Sequence, residues 1–185
     1  MATIERREPE PLLELAAVPA DLASLVPAHG RSLTPAECAQ VAAEIAGRGI
    51  WKDVALTPTE SHTRGYACIY ADEWCEMWVL SWLPQHSTGF HDHGESNVGF
   101  CVVQGAIVEQ QLRFAEPPHE LTLAVGDTRA AGSDYIHCLE WESGAPALSV
   151  HVYSPRLTVV GQYRYNDEGI LRRDVQSALE ELTKD

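Results

Sequence analysis

The sequence is poor in basic residues and has no long apolar run. Lys and Arg total 13 against 27 Asp and Glu, which gives a formal net charge of −14 at pH 7. An acidic surface repels nucleic acids and anionic membranes at long range, so neither is an expected partner. No segment is apolar enough for a signal peptide or a membrane span. We therefore expect a cytoplasmic protein whose partner is a small molecule.

The cysteines are scattered and include no CxxC pair. Their odd number and the lack of zinc-finger spacing indicate reduced thiols rather than a disulfide framework. They are Cys38, Cys68, Cys75, Cys101 and Cys138. With 185 residues, 45% of them apolar and 22% charged, the chain has the size and composition of a single domain, 1–185.

Three segments differ in their sequence pattern. Residues 1–60 are predicted to form an N-terminal helical segment, in which Thr34 and Glu37 make a capping box ahead of a helix. Residues 66–165 are short apolar or alternating runs separated by Gly, Pro and Asp, which is typical of an antiparallel β-barrel or sandwich. Residues 170–184 have apolar positions at helical spacing and predict a short C-terminal helix.

The segment FHDHGESNVG, residues 90–99, places two histidines one residue apart. Side chains on a strand alternate between faces, so His91 and His93 share one face and Asp92 lies on the other. Two imidazoles on one face can hold one metal ion. The same pair also occurs as ordinary polar residues of a strand or turn, so a metal site requires a further ligand.

A third histidine follows at a spacing that resembles the two cupin motifs. His137 lies eleven residues after Gly126, and Gly105 falls on the motif position after the histidine pair. The resemblance implies a mainly β protein, a cupin-type small β-barrel or jelly roll. Where most cupins have a glutamate ligand this sequence has Val98, and Glu95 lies too early for that geometry. Three neutral imidazoles would favour an anionic ligand such as a thiolate.

The segment SVHVYSP, residues 149–155, holds a further row of polar residues. On a strand, Ser149, His151 and Tyr153 share one face. Such a row is also compatible with the solvent side of a barrel strand, with Val150 and Val152 facing the core.

In this order and spacing, FHDHGESNVGFCVVQGAIVEQ, SDYIHCLEW and SVHVYSP resemble the cysteine dioxygenase family of thiol dioxygenases. The resemblance extends from Tyr66 to Tyr163. The family's iron ligands correspond to His91, His93 and His137. Its serine, histidine and tyrosine row corresponds to Ser149, His151 and Tyr153. The resemblance also implies a cis bond at Ser154–Pro155, and no cysteine–tyrosine cross-link, because the cysteine position is Val98.

The resemblance implies that Fe(II) binds a small thiol and O2 and that both oxygen atoms pass to sulfur, which gives a sulfinic acid. Tyr153 would hydrogen-bond to the bound oxygen or substrate. His151 would orient Tyr153, and Ser149 would orient His151. The family also implies a monomer that acts in sulfur metabolism.

The position that binds the substrate carboxylate in cysteine-using members is ambiguous. The favoured alignment keeps YACIYADEW as a continuous strand and turn. It places Tyr66 on the family's tyrosine and Cys68 on the position of the family's arginine. Arg64 is the alternative, and Arg156 or Arg164 could bind a carboxylate placed elsewhere. His86 lies in a turn and could contact the substrate. The candidate thiols are cysteine, 3-mercaptopropionate, cysteamine and ergothioneine.

Two other classes of function are compatible with the same residues. Three imidazoles suit several transition metals, so a cupin isomerase or lyase with Mn, Ni or Zn is one alternative. A non-catalytic thiol or metal sensor is the other. The row of Ser149, His151 and Tyr153 favours the dioxygenase.

Overall fold

Eleven β-strands and one α-helix make up the regular structure of the residues that the computed structural model describes, which are 15–17, 21–27, 30–56, 64–113, 115–178 and 180. Helix α1 is Pro35–Arg48, and two short 3₁₀ turns lie at Ala23–Leu25 and Ile50–Asp53. The strands are β1 (Tyr66–Ala71), β2 (Glu76–Trp82), β3 (Phe90–Asp92), β4 (Asn97–Gln104), β5 (Ala106–Gln111), β6 (His119–Ala124), β7 (Thr128–Ala131), β8 (His137–Trp141), β9 (Ala147–Ser154), β10 (Val159–Tyr165) and β11 (Leu171–Ser177).

The strands form two antiparallel sheets. The five-stranded sheet has the order β1-β2-β9-β4-β7, and the six-stranded sheet has the order β11-β10-β3-β8-β5-β6. The chain crosses from one sheet to the other at every step from β2 to β5 and again at every step from β6 to β10. These crossings bring side chains from distant parts of the sequence into one interior. The prediction of a mainly β fold is confirmed.

Helix α1 covers the outer face of the five-stranded sheet, across β4 and β9. Val41 and Ile45 of the helix pack in one buried cluster with Val79, Val150 and Val152 of the sheet. Burial of each such side chain contributes about 1.5–3 kcal/mol to folding. The helix approaches β4 so closely that a Cβ added at Gly99 would lie 2.0 Å from a helix backbone nitrogen. A second buried cluster, which includes Trp82, Phe100 and Ile107, fills the space between the sheets.

The predicted capping of α1 is confirmed. The Thr34 hydroxyl accepts a hydrogen bond from the Glu37 backbone, and the Glu37 carboxylate accepts one from the Thr34 backbone at 2.8 Å. These two bonds satisfy N–H groups that have no partner within the helix. The helix ends at Gly49, which adopts a left-handed conformation with φ of 68°. None of the helices in the described residues has the length and apolar character needed to cross a membrane.

The prediction of a C-terminal helix is wrong for residues 171–177, which form β11. This strand pairs with β10 in unbroken register from Val159 opposite Ser177 to Tyr165 opposite Leu171. A tight turn that ends at Gly169, with φ of 73°, joins the two strands. The apolar residues at helical spacing do not form a buried face, since Val175 is 58% exposed. Residues 178 and 180 are helical, and residues 179 and 181–184 of the predicted helix lie outside the described part of the chain.

Candidate metal centre

Three buried histidines meet in the interior of the barrel. His91 on β3 lies directly opposite His137 on β8, and His93 follows β3 by one residue. They are 6%, 1% and 2% exposed, respectively. Each offers one ring nitrogen, and these nitrogens lie within 4.8 Å of one another. The two motifs that are 44 residues apart in sequence thus form one cluster because β3 and β8 are paired.

Asp92 lies on the opposite face from the two histidines that flank it, as strand alternation predicts. Its carboxylate accepts hydrogen bonds from the Arg173 guanidinium at 2.5 and 2.8 Å and from the Tyr163 hydroxyl at 2.8 Å. Burial opposes ionisation of Asp92, but these bonds and one from the Gly94 backbone lower its pKa to about 2. Asp92 therefore fixes the strand that carries the histidine pair to the β10–β11 hairpin, and it is not available as a metal ligand.

Hydrogen bonds determine which ring nitrogens of the histidines carry hydrogen. His91 Nδ1 contacts the Gly89 carbonyl oxygen at 3.1 Å, and His137 Nδ1 contacts a Glu109 carboxylate oxygen at 2.8 Å. Both oxygens can only accept, so Nδ1 is the donor in each ring and the Nε2 lone pair is left. Burial is the main reason that the pKa of His91 is lowered to about 3. Burial also lowers the pKa of His93.

The donor set fits a transition-metal ion. Two buried ring nitrogens, Nε2 of His137 and Nδ1 of His93, have no hydrogen-bond partner among the described residues. A buried polar atom without a partner is costly, and a metal ion satisfies an imidazole lone pair. Three neutral imidazoles suit Fe, Zn, Cu or Ni, so the ligands by themselves do not select one metal.

Glu109 on β5 is a site residue that the sequence analysis missed. Its carboxylate is 1% exposed and accepts hydrogen bonds from His137, from Arg129 Nε at 2.6 Å and from the Tyr135 hydroxyl at 3.1 Å. Burial opposes its ionisation, but His137 and Arg129 hold its pKa below the usual range. Ile107 and Glu109 share the interior face of β5. A carboxylate at an interior strand position was the sequence signal that could have revealed it.

Ser149, His151 and Tyr153 form a buried hydrogen-bonded row, which we call the relay. Ser149 Oγ lies 2.8 Å from His151 Nε2, and the Tyr153 hydroxyl lies 3.2 Å from His151 Nδ1. Phe100 stacks on the His151 ring at 4.9 Å between centroids. The alternative of a solvent-facing row is wrong, because none of the three residues is more than 8% exposed. The Tyr153 ring lies 5.6 Å from the His93 ring, so the relay ends beside the histidines.

A small cavity of ≈ 40 Å³ lies between the histidines and the end of the relay. One water needs roughly 10–15 Å³ on this scale, so the cavity holds about three. Its polar lining comes from His91, His93, Tyr153, Arg64, Glu76 and Thr88, and its apolar lining includes Trp78, Leu80, Leu157 and Val160.

Arg64 is the one arginine among the residues that line this cavity. Its guanidinium carbon lies 5.0 Å from the centre of the Trp82 ring, a cation–π contact. Arg156 instead bonds Glu76 at 3.3 Å, and Arg164 bonds Asp174 at 2.9 Å near the surface. Of the three arginines considered from the sequence, Arg64 is the one that the fold brings to the histidines.

The other predicted substrate-binding residues lie elsewhere. Cys68 is buried, its thiol donates to the Tyr70 carbonyl, and burial together with the charge of Glu76 raises its pKa to about 12. Tyr66 and Cys68 line a separate, larger depression of ≈ 530 Å³ rather than the cavity at the histidines. His86 Nδ1 accepts a hydrogen bond from the Leu83 backbone at 3.1 Å and closes the turn after β2. The fold thus separates these three residues from Arg64.

Two further expectations concern Val98 and the bond after the relay. Val98 is 1% exposed and lies opposite Tyr153 in the pairing of β4 with β9. A valine there offers neither a carboxylate ligand nor a thiol that could be linked to the tyrosine ring. Glu95 is exposed, as expected for a residue outside the site. The Ser154–Pro155 peptide bond is cis.

Several solved structures are similar to about half of this chain at low sequence identity. The protein TT1209 from Thermus thermophilus is 23% identical, with 55% of this chain and 91% of that chain covered and a TM-score of 0.48. KdgF from Halomonas sp. is 17% identical, covers 55% and 86%, and has a TM-score of 0.46. A cupin superfamily protein from Desulfitobacterium hafniense DCB-2 is 9% identical, covers 53% and 83%, and has a TM-score of 0.45.

No curated protein matches the chain. The model of the family described as cysteine dioxygenase type I matches residues 50–166, which is well over half of the chain. The matched region contains the three histidines and the whole relay. This chain belongs to the cysteine dioxygenase type I family.

Proposed function

We propose that the protein is an Fe(II)-dependent thiol dioxygenase that converts a small thiol and O2 into a sulfinic acid. The observation that carries the proposal is the combination of three buried histidines with a buried hydrogen-bonded relay that ends at the same cavity. A structural metal site would have no need of the relay. Membership of the family supports this reaction class.

The overall reaction places both oxygen atoms on sulfur. The sulfur loses four electrons and O2 gains four, so no external reductant is needed, and the thiol hydrogen remains with the sulfinic acid or is released. When bound, Fe(II) supplies the one-electron chemistry that allows O2 to react with a thiol. His91, His93 and His137 would hold it, and their lack of charge leaves the ion able to attract a thiolate.

The residues around the cavity position the reactants. Tyr153 reaches the cavity with its hydroxyl held by His151, so it is placed to hydrogen-bond to a reacting oxygen or sulfur atom. Trp78, Leu80, Leu157 and Val160 give the remaining walls an apolar character that limits the entry of water. In such a site, electrostatic contacts to the reactants are stronger than in water.

Arg64 and the size of the cavity support a small thiol that carries a carboxylate. A guanidinium binds a carboxylate through two parallel hydrogen bonds, and Arg64 lines the cavity beside two of the histidines. The small cavity favours the small thiols over the much larger ergothioneine. Cysteamine has no carboxylate for Arg64 to bind.

The test is to load the purified protein with Fe(II) and to measure O2 uptake and sulfinate formation with all four thiols. We expect turnover with cysteine or 3-mercaptopropionate and the weakest turnover with ergothioneine. In an Arg64→Ala variant, KM for the carboxylate-bearing thiol should rise about 10-fold or more, while KM for cysteamine should change little. Absence of O2 uptake with every thiol in the Fe(II)-loaded protein would contradict the proposal.

A further inference from the structure

The relay continues beyond Ser149 to a fourth residue, Trp82. Trp82 is the last residue of β2 and is completely buried. Its indole Nε1 donates a hydrogen bond to Ser149 Oγ at 2.8 Å. An indole N–H can only donate, unlike a hydroxyl or an imidazole. Trp82 is therefore the member of the row whose hydrogen-bonding role is fixed by its chemistry.

The fixed donor at Trp82 determines the direction of the next bond. Ser149 is 0% exposed, and the partners that its hydroxyl has among the described residues are Trp82 and His151. If His151 Nε2 donated to Ser149, the serine hydrogen would be buried without an acceptor. A buried donor without a partner is strongly disfavoured. Ser149 therefore donates to His151 Nε2, which is left as an acceptor.

The direction of the hydrogen bond between His151 and Tyr153 follows in the same way. His151 is neutral, because burial and then the charge of Arg64 lower its pKa well below the usual value. A neutral imidazole has one hydrogen, and with Nε2 accepting, that hydrogen is on Nδ1. His151 Nδ1 then donates to the Tyr153 oxygen at 3.2 Å. The tyrosine's own hydrogen is not used on His151.

We propose that Trp82 is a positioning residue that sets the direction of the relay, so that Tyr153 faces the reactants as a hydrogen-bond donor. The direction of the relay does not depend on the proposed function, whereas its effect on turnover rests on it. The ring face of Trp82 also contacts Arg64. A Trp82→Phe variant keeps an aromatic face for that arginine and removes the N–H donor together with one of the two indole rings.

The direct test is the protonation state of the His151 ring, measured by nitrogen-15 NMR on the full-length protein loaded with Zn(II), which is diamagnetic. A His151→Asn variant identifies the His151 signals among those of the eight histidines. We expect the wild-type hydrogen on Nδ1. In Trp82→Phe, Nε2-protonated His151 should become populated, because the smaller ring leaves room for a water that can accept the serine hydrogen. A wild-type His151 that carries its hydrogen on Nε2 would overturn the proposal without any variant having to fold.

Kinetics with the Fe(II)-loaded enzyme provide the second readout. Trp82→Phe should lower kcat about 10-fold and change KM for the thiol less than about twofold, because Arg64 keeps its aromatic contact. Ser149→Ala should have a similar effect, and the double variant should lose no more than the worse single variant. Trp141→Phe is the matched control, since its indole N–H bonds the Ala145 carbonyl at the protein surface, and it should turn over like the wild type.

The outcomes separate this proposal from the proposed function. Nδ1 protonation in a protein that oxidises no thiol would leave the relay direction intact and reject the dioxygenase. If the enzyme oxidises thiols and Trp82→Phe changes neither kcat nor the protonation of His151, the role of Trp82 is rejected. The dioxygenase proposal is then left intact.

Discussion

The two faces of strand β9 are equally buried but have different tasks. Val150 and Val152 are 0% exposed and pack in the cluster under α1. Ser149, His151 and Tyr153 alternate with them and are nearly as buried, yet each makes a hydrogen bond within the relay. Burial therefore does not separate structural from chemical positions in this protein. The chemical positions are those at which a buried polar group belongs to a row of hydrogen bonds with a fixed direction.

The largest effect is expected at the end of the relay. Tyr153→Phe removes the hydroxyl at the cavity and keeps the packed ring, so kcat should fall about 10- to 100-fold while the free energy of unfolding changes by less than about 1.5 kcal/mol. Steady-state kinetics and thermal unfolding measure the two quantities. Tyr70→Phe is the control, because its hydroxyl bonds Asp72 outside the cavity, and kcat should be unchanged. Full turnover by Tyr153→Phe would show that the polar face of β9 has no role in the reaction.

Glu109 is a buried polar residue with a different role, because it supports a metal ligand rather than the reactants. Glu109→Gln weakens the hydrogen bond to His137 Nδ1 and leaves Arg129 without its anion, so the dissociation constant for Co(II) should rise about 10-fold. Titration of the metal-free protein with Co(II), followed by its visible absorption, measures this. Glu120→Gln, which changes an exposed carboxylate on β6, should bind Co(II) like the wild type. An unchanged affinity in Glu109→Gln would show that His137 is oriented by packing alone.

The smallest effect on turnover is expected on the apolar face. Val152→Ala leaves a cavity under α1 and should lower the free energy of unfolding by about 2 kcal/mol, with kcat unchanged at temperatures where the variant is folded. Val125→Ala, at a residue that is 62% exposed, should leave stability within about 0.5 kcal/mol of the wild type. A kcat for Val152→Ala that fell as far as that of Tyr153→Phe would mean that the two faces are not separable.

Local sequence patterns predicted the features that depend only on residues close together in the chain. The capping box at Thr34 and Glu37 is completed within four residues, and strand alternation alone places Asp92 opposite His91 and His93. The barrel follows from the run of short strands and the spacing of the two motifs. These features need no knowledge of which strands become neighbours.

Features that depend on strand pairing were missed or left open. Glu109 reaches His137 only because β5 pairs with β8, and Trp82 reaches Ser149 only because β2 pairs with β9. Alignment on the sequence favours Cys68 over Arg64 because it keeps β1 continuous, whereas the side chain of Arg64 reaches the cavity from just before the strand. Residues 171–177 form a strand despite their apolar residues at helical spacing, because the turn that ends at Gly169 places them beside β10.

The most direct measurement of the central claim is the origin of the oxygen atoms in the product. The Fe(II)-loaded protein is incubated with cysteine or 3-mercaptopropionate under ¹⁸O2, and the product is analysed by mass spectrometry. We expect a sulfinic acid in which both oxygen atoms carry the label, with one molecule formed per O2 consumed. A product with one labelled oxygen or none, or O2 consumed without sulfinate, would contradict the proposed function.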